Sequence, residues 1–300
     1  MIEFPPFASM TGAGDRISIG DGAETGALMS GNKLSDVLPW DLVADGYASE
    51  IVPVFNQWAM DSIDRVRPGK DDVVIDVATG PGTVALLLAG RVKQVVALDF
   101  SMEMIARLDR EIKNRHIGNI LSKVCDCQEL PYASHSFDLA FSQFGLMFFP
   151  DRVRGFREMH RVLKAGGKAA VYSWAPISQS TAMTMMMGAL FAGFPEARPK
   201  ENEAKTIVHG LDDLDTFRSE MGMAGFKNIS IEPVTHAFPL LDPDALWISM
   251  VKGSAPVTLM KNHTAAEIWQ EKEKACIQYI RDHQSDVPLT STAYLAIGVK

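Results

Sequence analysis

The residues with the clearest chemical use lie in two short segments, Val73-Val-Ile-Asp76-Val-Ala-Thr-Gly80-Pro-Gly82 and Val95-Val-Ala-Leu-Asp99. In each, an apolar run ends in a carboxylate, and the first run continues into a glycine-rich turn. Glycine can take a left-handed turn or let the backbone approach a ligand. The N–H groups at the start of the helix behind such a turn are left to face that ligand. Asp99, at the second strand end, can accept two hydroxyl hydrogen bonds, as a ribose diol would supply. Asp76 is poorly matched to phosphate oxygens and better matched to an amine or to the N–H groups of its own turn. The spacing is not the GxGxxG of a dinucleotide site, and the lysine of a P-loop is missing.

These residues need strand ends on one edge of a parallel sheet, and the pattern around them predicts repeated βα units. Strands are expected at 73–77, 95–98, 120–125, 137–142 and 168–174, with helices at 84–89 and 152–163. Ser101 is expected to cap a helix that turns Met104, Ile105 and Leu108 inward. Ala165-Gly-Gly167 should break the helix before the fifth strand. Ahead of this core, residues 1–35 read as a loose arm with a short strand near 16–19. Helices at 41–47 and 52–66, interrupted near Pro53, form a helical lid over 36–68. The cofactor-binding core is taken as 69–175. Residues 176–300 are expected to complete the sheet and add a cap: a methionine-rich helix at 181–194, a surface linker at 195–208, a helix at 211–223, a strand at 226–234, helices near 243–251 and 264–283, and a strand at 290–299.

Composition narrows the classes. With 300 residues and 47% apolar content, the chain can bury a sizeable core. A net charge of -8 with no basic cluster argues against nucleic acid as the partner. Three cysteines do not make a disulfide framework and suit a reducing, cytoplasmic setting. No apolar run reaches membrane-spanning length, so no membrane insertion is expected. Cys125-Asp-Cys127 lacks a second cluster, and no metal site is assigned. A homodimer is compatible with the chain.

Four ordered segments make the chain similar to the class I S-adenosylmethionine-dependent methyltransferases, small-molecule type. They are Asp76-Val-Ala-Thr-Gly80-Pro-Gly82-Thr, Val96-Ala-Leu-Asp99-Phe-Ser-Met102, Cys125-Asp126-Cys-Gln-Glu-Leu-Pro131 leading into Ser136-Phe-Asp138, and Arg161-Val-Leu-Lys-Ala-Gly-Gly-Lys168. The resemblance implies an α/β fold: a Rossmann-like, mostly parallel seven-stranded sheet flanked by helices. It implies S-adenosyl-L-methionine as cofactor and S-adenosyl-L-homocysteine as product. By position, Asp76, Ala78, Thr79, Gly80 and Gly82 would form the turn on the cofactor's amino-acid side, with Ala78 replacing the family's first glycine. Asp99 would bind the ribose and Asp126 the adenine amine, beside Cys127. Phe100 and Met102 would pack on the adenine, and Ser142 and Gln143 would face the reacting centre.

A small, partly apolar methyl acceptor is the expected partner. Its walls are assigned to Tyr47 and Trp58 of the lid, Phe144 and Met147 after the fourth strand, and Met185 of the methionine-rich helix. His135 and His160 have no orienting partner in the pattern, so no catalytic base is assigned. The alternatives are a nicotinamide-dependent oxidoreductase, against which the glycine spacing argues, and a noncatalytic nucleotide-binding or assembly module.

Overall fold

The computed structural model describes residues 33–198 and 210–300. The strand expected near 16–19 and most of the arm and of the 195–208 linker lie outside them. Seven strands form one sheet: β1 (Val73–Val77), β2 (Gln94–Asp99), β3 (Ile120–Val124), β4 (Phe137–Gln143), β5 (Leu163–Trp174), β6 (Lys227–Ala237) and β7 (Thr290–Val299). Their order is β3-β2-β1-β4-β5-β7-β6. β1 to β5 run parallel and β7 pairs antiparallel with both β5 and β6. The strand order reverses between β1 and β4, and in open α/β sheets ligands bind beyond the carboxyl ends at such a switch point. Continuous apolar runs in β1 and β2 follow from burial on both faces.

Helices cover both faces. In chain order they are α1 (Leu38–Gly46), α2 (Val52–Val66), α3 (Thr83–Leu88), α4 (Met102–Asn114), α5 (Arg152–Val162), α6 (Thr181–Gly193), α7 (Leu214–Met223), α8 (Pro243–Gly253), α9 (Ala255–His263) and α10 (Ala266–His283). α4 begins as expected: Ser101 Oγ accepts from the Met104 N–H at 3.1 Å, and Met104, Ile105 and Leu108 are buried.

As a proline can without losing a helix hydrogen bond, Pro53 occupies the first turn of α2, and a π turn at Tyr47–Ile51 joins α1 to α2. Two details correct the sequence reading. The chain leaves α5 at Val162, before the Ala-Gly-Gly segment, and that segment bulges within β5: pairing jumps from Phe137–Leu163 to Leu139–Lys168. Between the two expected C-terminal helices lies a third, α9.

One apolar core surrounds the sheet, and a second lies among the C-terminal helices, built from Met185, Leu190, Phe194, Trp247, Trp269 and Ile280. α1 is held between the two by Val43 and Ala44, which pack on Met104 of α4 and Ala255 of α9. Among the described residues no helix is long and apolar enough to cross a membrane.

Candidate cofactor and acceptor cleft

The turn after β1 is tied down from both sides. Asp76, buried at the end of β1, accepts from Thr79 Oγ1 at 2.6 Å and the Ala85 N–H at 3.1 Å through one carboxylate oxygen. Burial raises its pKa to about 7 against the pull of those two donors. Thr79 N–H donates to the Leu98 carbonyl at 2.8 Å, which fixes the turn to β2. Ala78 itself stands at φ +55, a left-handed conformation that glycine takes at lower cost.

The two glycines of the turn do different work. Gly80 is at φ +56, and a Cβ there would point into open space. Gly82 is at φ +92, and a Cβ there would lie 2.3 Å from Leu108 Cδ1. Gly80 therefore borders the cleft, whereas Gly82 lets the turn close onto α4.

Asp99 closes the other side. Its two oxygens accept from the Gly80 N–H at 2.8 Å and the Ser101 N–H at 2.9 Å. Burial raises its pKa to about 6, opposed by the Ser101, Gly80 and Phe100 N–H groups. Each carboxylate oxygen has a second lone pair, so the group retains acceptor capacity for ligand hydroxyls.

A cavity of about 240 Å3 lies over this edge. Asp76, Ala78, Thr79, Gly80, Asp99 and Phe100 line one side of it. Asp126 and Cys127 line the loop after β3, where Asp126 accepts from the Gln128 N–H at 2.9 Å. Burial holds the Cys127 thiol well above its usual range. Gln143, Phe144 and Tyr47 also line it. Burial, then the charge of Asp99, pushes the Tyr47 phenol far up, so it stays a neutral O–H donor.

Other expected residues lie outside the cavity wall. Gly82 packs on Leu108, and Met102 is 66% exposed. Ser142 is buried behind the strand end, its Oγ accepting from the Leu146 N–H at 3.2 Å. Trp58 is fully buried, with its indole N–H on the Val234 carbonyl at 3.2 Å, because its face of α2 packs on the sheet. Met147 is buried, and its sulfur accepts from Ser173 Oγ at 3.4 Å. Met185 belongs to the second core, since α6 packs on α10 and not over the cleft. Trp58, Met147 and Met185, expected in the acceptor wall, thus stand in packing positions away from the cavity lining.

The sequence reading missed Trp40 and Phe55 of the helical lid and Ser35 just before it, all of which line the cavity. Ser35 Oγ donates to the Phe148 carbonyl at 2.6 Å, and the Trp40 ring lies 5.1 Å from that of Phe148. Phe55 meets Phe144 at 4.8 Å between ring centroids. An apolar residue in a helix reads as core whether it faces core or cleft, so only topology could have found Trp40 and Phe55.

The residues present fit a nucleoside cofactor: an open glycine edge, a buried carboxylate with spare acceptor capacity one strand away, and a polar loop after β3. The comparisons agree. A family described as a methyltransferase domain matches residues 75–171. The chain is 37% identical over 187 residues to a ubiquinone/menaquinone biosynthesis C-methyltransferase UbiE from Geobacter sp. (strain M21), covering 58% of this chain and 78% of that protein. It is 31% identical over 185 residues to the protein of that name from Stenotrophomonas maltophilia (strain K279a), covering 57% and 71%. The fold is similar to that of the crystal structure of YcgJ from Bacillus subtilis, with a TM-score of 0.50 and 17% identity over 81% of this chain and 98% of that one. The chain belongs to the class I S-adenosylmethionine-dependent methyltransferases, and its activity is methylation of a small molecule, with S-adenosyl-L-methionine as cofactor and S-adenosyl-L-homocysteine as product.

Proposed function

We propose that the cleft binds the cofactor along the ends of β1, β2 and β3 and transfers its methyl group by direct displacement to a small, partly apolar acceptor held against the lid. Asp99 carries the cofactor half of this reading. Its two oxygens are already aligned by the Gly80 and Ser101 N–H groups, so ribose hydroxyls would meet a fixed acceptor pair. Asp126 is assigned the adenine amine, with Phe100 and Cys127 beside the ring. Gly80 and Thr79 are assigned the amino-acid side, in a turn that Asp76 holds rigid.

When bound, the cofactor supplies an activated methyl group on a positively charged sulfur. The chain's own residues then align the acceptor and exclude water. Tyr47, Phe55 and Phe144 supply apolar surface, and Asp76 and Asp99 line the same cavity. We assign residues 36–68 to the lid, 69–175 to cofactor binding, and 176–300 to completing the sheet and bracing the lid. The bracing is supported by Gly46 and Gly253: a Cβ on Gly46 would lie 2.1 Å from the Lys252 carbonyl oxygen, and one on Gly253 would lie 2.5 Å from Ile51.

A ring-shaped quinone precursor is the first acceptor to test, given the names of the relatives and the aromatic wall. The test is incubation with methyl-labelled S-adenosylmethionine and a metabolite extract, followed by mass analysis of labelled products. Label in a small apolar product is the expected result. Label confined to polymeric nucleic acid or protein contradicts it.

A further inference from the structure

Gln143 ends β4 in the cleft wall, and one of its two amide atoms has no partner. Its Nε2 donates to the Phe55 carbonyl at 2.9 Å. A carbonyl can only accept, so the amide must turn its NH2 toward Phe55 and its oxygen away. That oxygen, Oε1, is closed off from solvent and has no hydrogen-bond partner among the described residues. A buried acceptor left unpartnered is rare and costly. None of the described donors reaches it: the side chains next to it are the apolar rings of Phe55 and Phe144, with Phe144 stacked on Trp174 at 4.1 Å, and the Tyr47 hydroxyl in the same wall makes no bond to it.

The charges of the cleft narrow what can satisfy this oxygen. No Lys, Arg or His is among the described residues that line it, while Asp76, Asp99 and Asp126 do. An anionic acceptor would meet like charge from the protein, with no Lys, Arg or His among the described lining residues to offset it. A neutral molecule whose O–H or N–H donor reaches past the covering aromatic side chains would pair this otherwise unsatisfied oxygen.

We propose that Gln143 is a specificity-determining residue for the methyl acceptor. Its Oε1 takes the hydrogen bond of an O–H or N–H group on a neutral, flat acceptor lying against Phe55 and Phe144. This rests on the reading of that wall as the acceptor side of a methyltransferase cleft. The bond selects acceptors by a proton they carry, because an analogue without it leaves the buried oxygen unpaired. It also fixes the acceptor's rotation in the cleft, which aromatic walls alone leave free.

The test uses the full chain saturated with S-adenosylhomocysteine and two probes, 1-naphthol and 1-methoxynaphthalene, which differ in whether the oxygen carries a proton. Calorimetric titration should show 1-naphthol binding at least about tenfold more tightly. Gln143→Leu and Gln143→Met, first shown by melting curves to be folded, should lose that preference while S-adenosylhomocysteine affinity stays within about threefold. Two replacement shapes are used so that one can pack. Equal binding of the probes to the unaltered protein, or binding of neither, overturns the proposal. So does a preference that survives both substitutions, or unfolding of both variants, which would make Gln143 a scaffold residue. A large loss of S-adenosylhomocysteine affinity with the preference intact places Oε1 on the cofactor side and also overturns it. Failure of the unaltered protein to bind S-adenosylhomocysteine would overturn the cofactor-site reading itself, and is read separately in the first titration.

Discussion

Ala78 and Gly145 interlock: a Cβ built on Gly145 would lie 2.4 Å from the Cβ of Ala78. The turn after β1 and the segment after β4 meet there, on the floor of the cleft. Ala78 already bears the strain of φ +55, whereas Gly145 has φ -103, which any residue adopts. The demand for glycine at 145 therefore comes from contact and not from backbone conformation. We expect G145A to destabilise the protein by roughly 1–3 kcal/mol through overpacking. A78G should restore part of that loss, because it removes the opposing Cβ but leaves the Ala78 carbonyl oxygen 3.1 Å away. Urea melts of the two single variants and the double variant measure the coupling. Strict additivity would show that the two positions do not touch.

Gly80 and Gly82 should separate binding from folding. G82A combines a left-handed alanine with a clash against Leu108, an expected loss of about 2–5 kcal/mol. G80A carries the backbone term alone, about 1–2 kcal/mol, but points its methyl group toward the cleft. We expect G80A to fold and bind S-adenosylhomocysteine poorly, and G82A to lose stability first. Melting curves paired with titration check this, and equal effects of both on stability would contradict it.

Asp76 and Asp99 make stability and binding depend on pH in opposite directions. Both pKa values, about 7 and about 6, lie above the ordinary 3.8. Between these limits the folded protein holds protons that the unfolded chain has released. The stability linked to these groups is present in full below pH 3.8 and is lost as pH rises through about 6 and 7. Ligand hydroxyls need the ionised Asp99, so S-adenosylhomocysteine binding should expel a proton near pH 6 and weaken by about tenfold per pH unit well below it. Titrations at several pH values, in buffers of different ionisation heat, read both quantities. Affinity that does not change across this range would contradict the role of Asp99.

Asp41 latches the lid. Its Oδ1 accepts from Ser101 Oγ at 2.5 Å, and that hydroxyl in turn caps α4 at Met104. We expect D41A to fold, to lose about 1 kcal/mol of stability, and to release S-adenosylhomocysteine several times faster as α1 loosens. Stopped-flow displacement measures the rate, and an unchanged rate would show that α1 does not restrain the ligand.

The sheet core was legible because β1 to β4 are short runs bounded by turns and acids, with Ser101 marking a helix start. Less visible were features set by tertiary contact. The π turn at Tyr47–Ile51 is packed against α8, and nothing local in Tyr-Ala-Ser-Glu-Ile announces it. Four methionines at 183, 185, 186 and 187 suggest a flexible wall, yet apolar content cannot say which neighbour a helix meets, and α6 meets α10. Trp58 and Phe55 stand three residues apart on α2, but one faces the sheet and the other borders the cleft. Asp99 and Gly80 were readable as a pair because the strand-turn-helix-strand spacing brings them together wherever the sheet forms.

The measurement that bears most directly on the account is equilibrium titration of the unaltered protein and D99A with S-adenosylmethionine, S-adenosylhomocysteine and NAD. The unaltered protein should bind both sulfur-containing nucleosides in preference to NAD. Folded D99A should bind them about 10- to 100-fold more weakly, the loss of a charge-assisted hydrogen-bond acceptor. Tight NAD binding without either of the others, or a folded D99A with unchanged affinity for both, would contradict it.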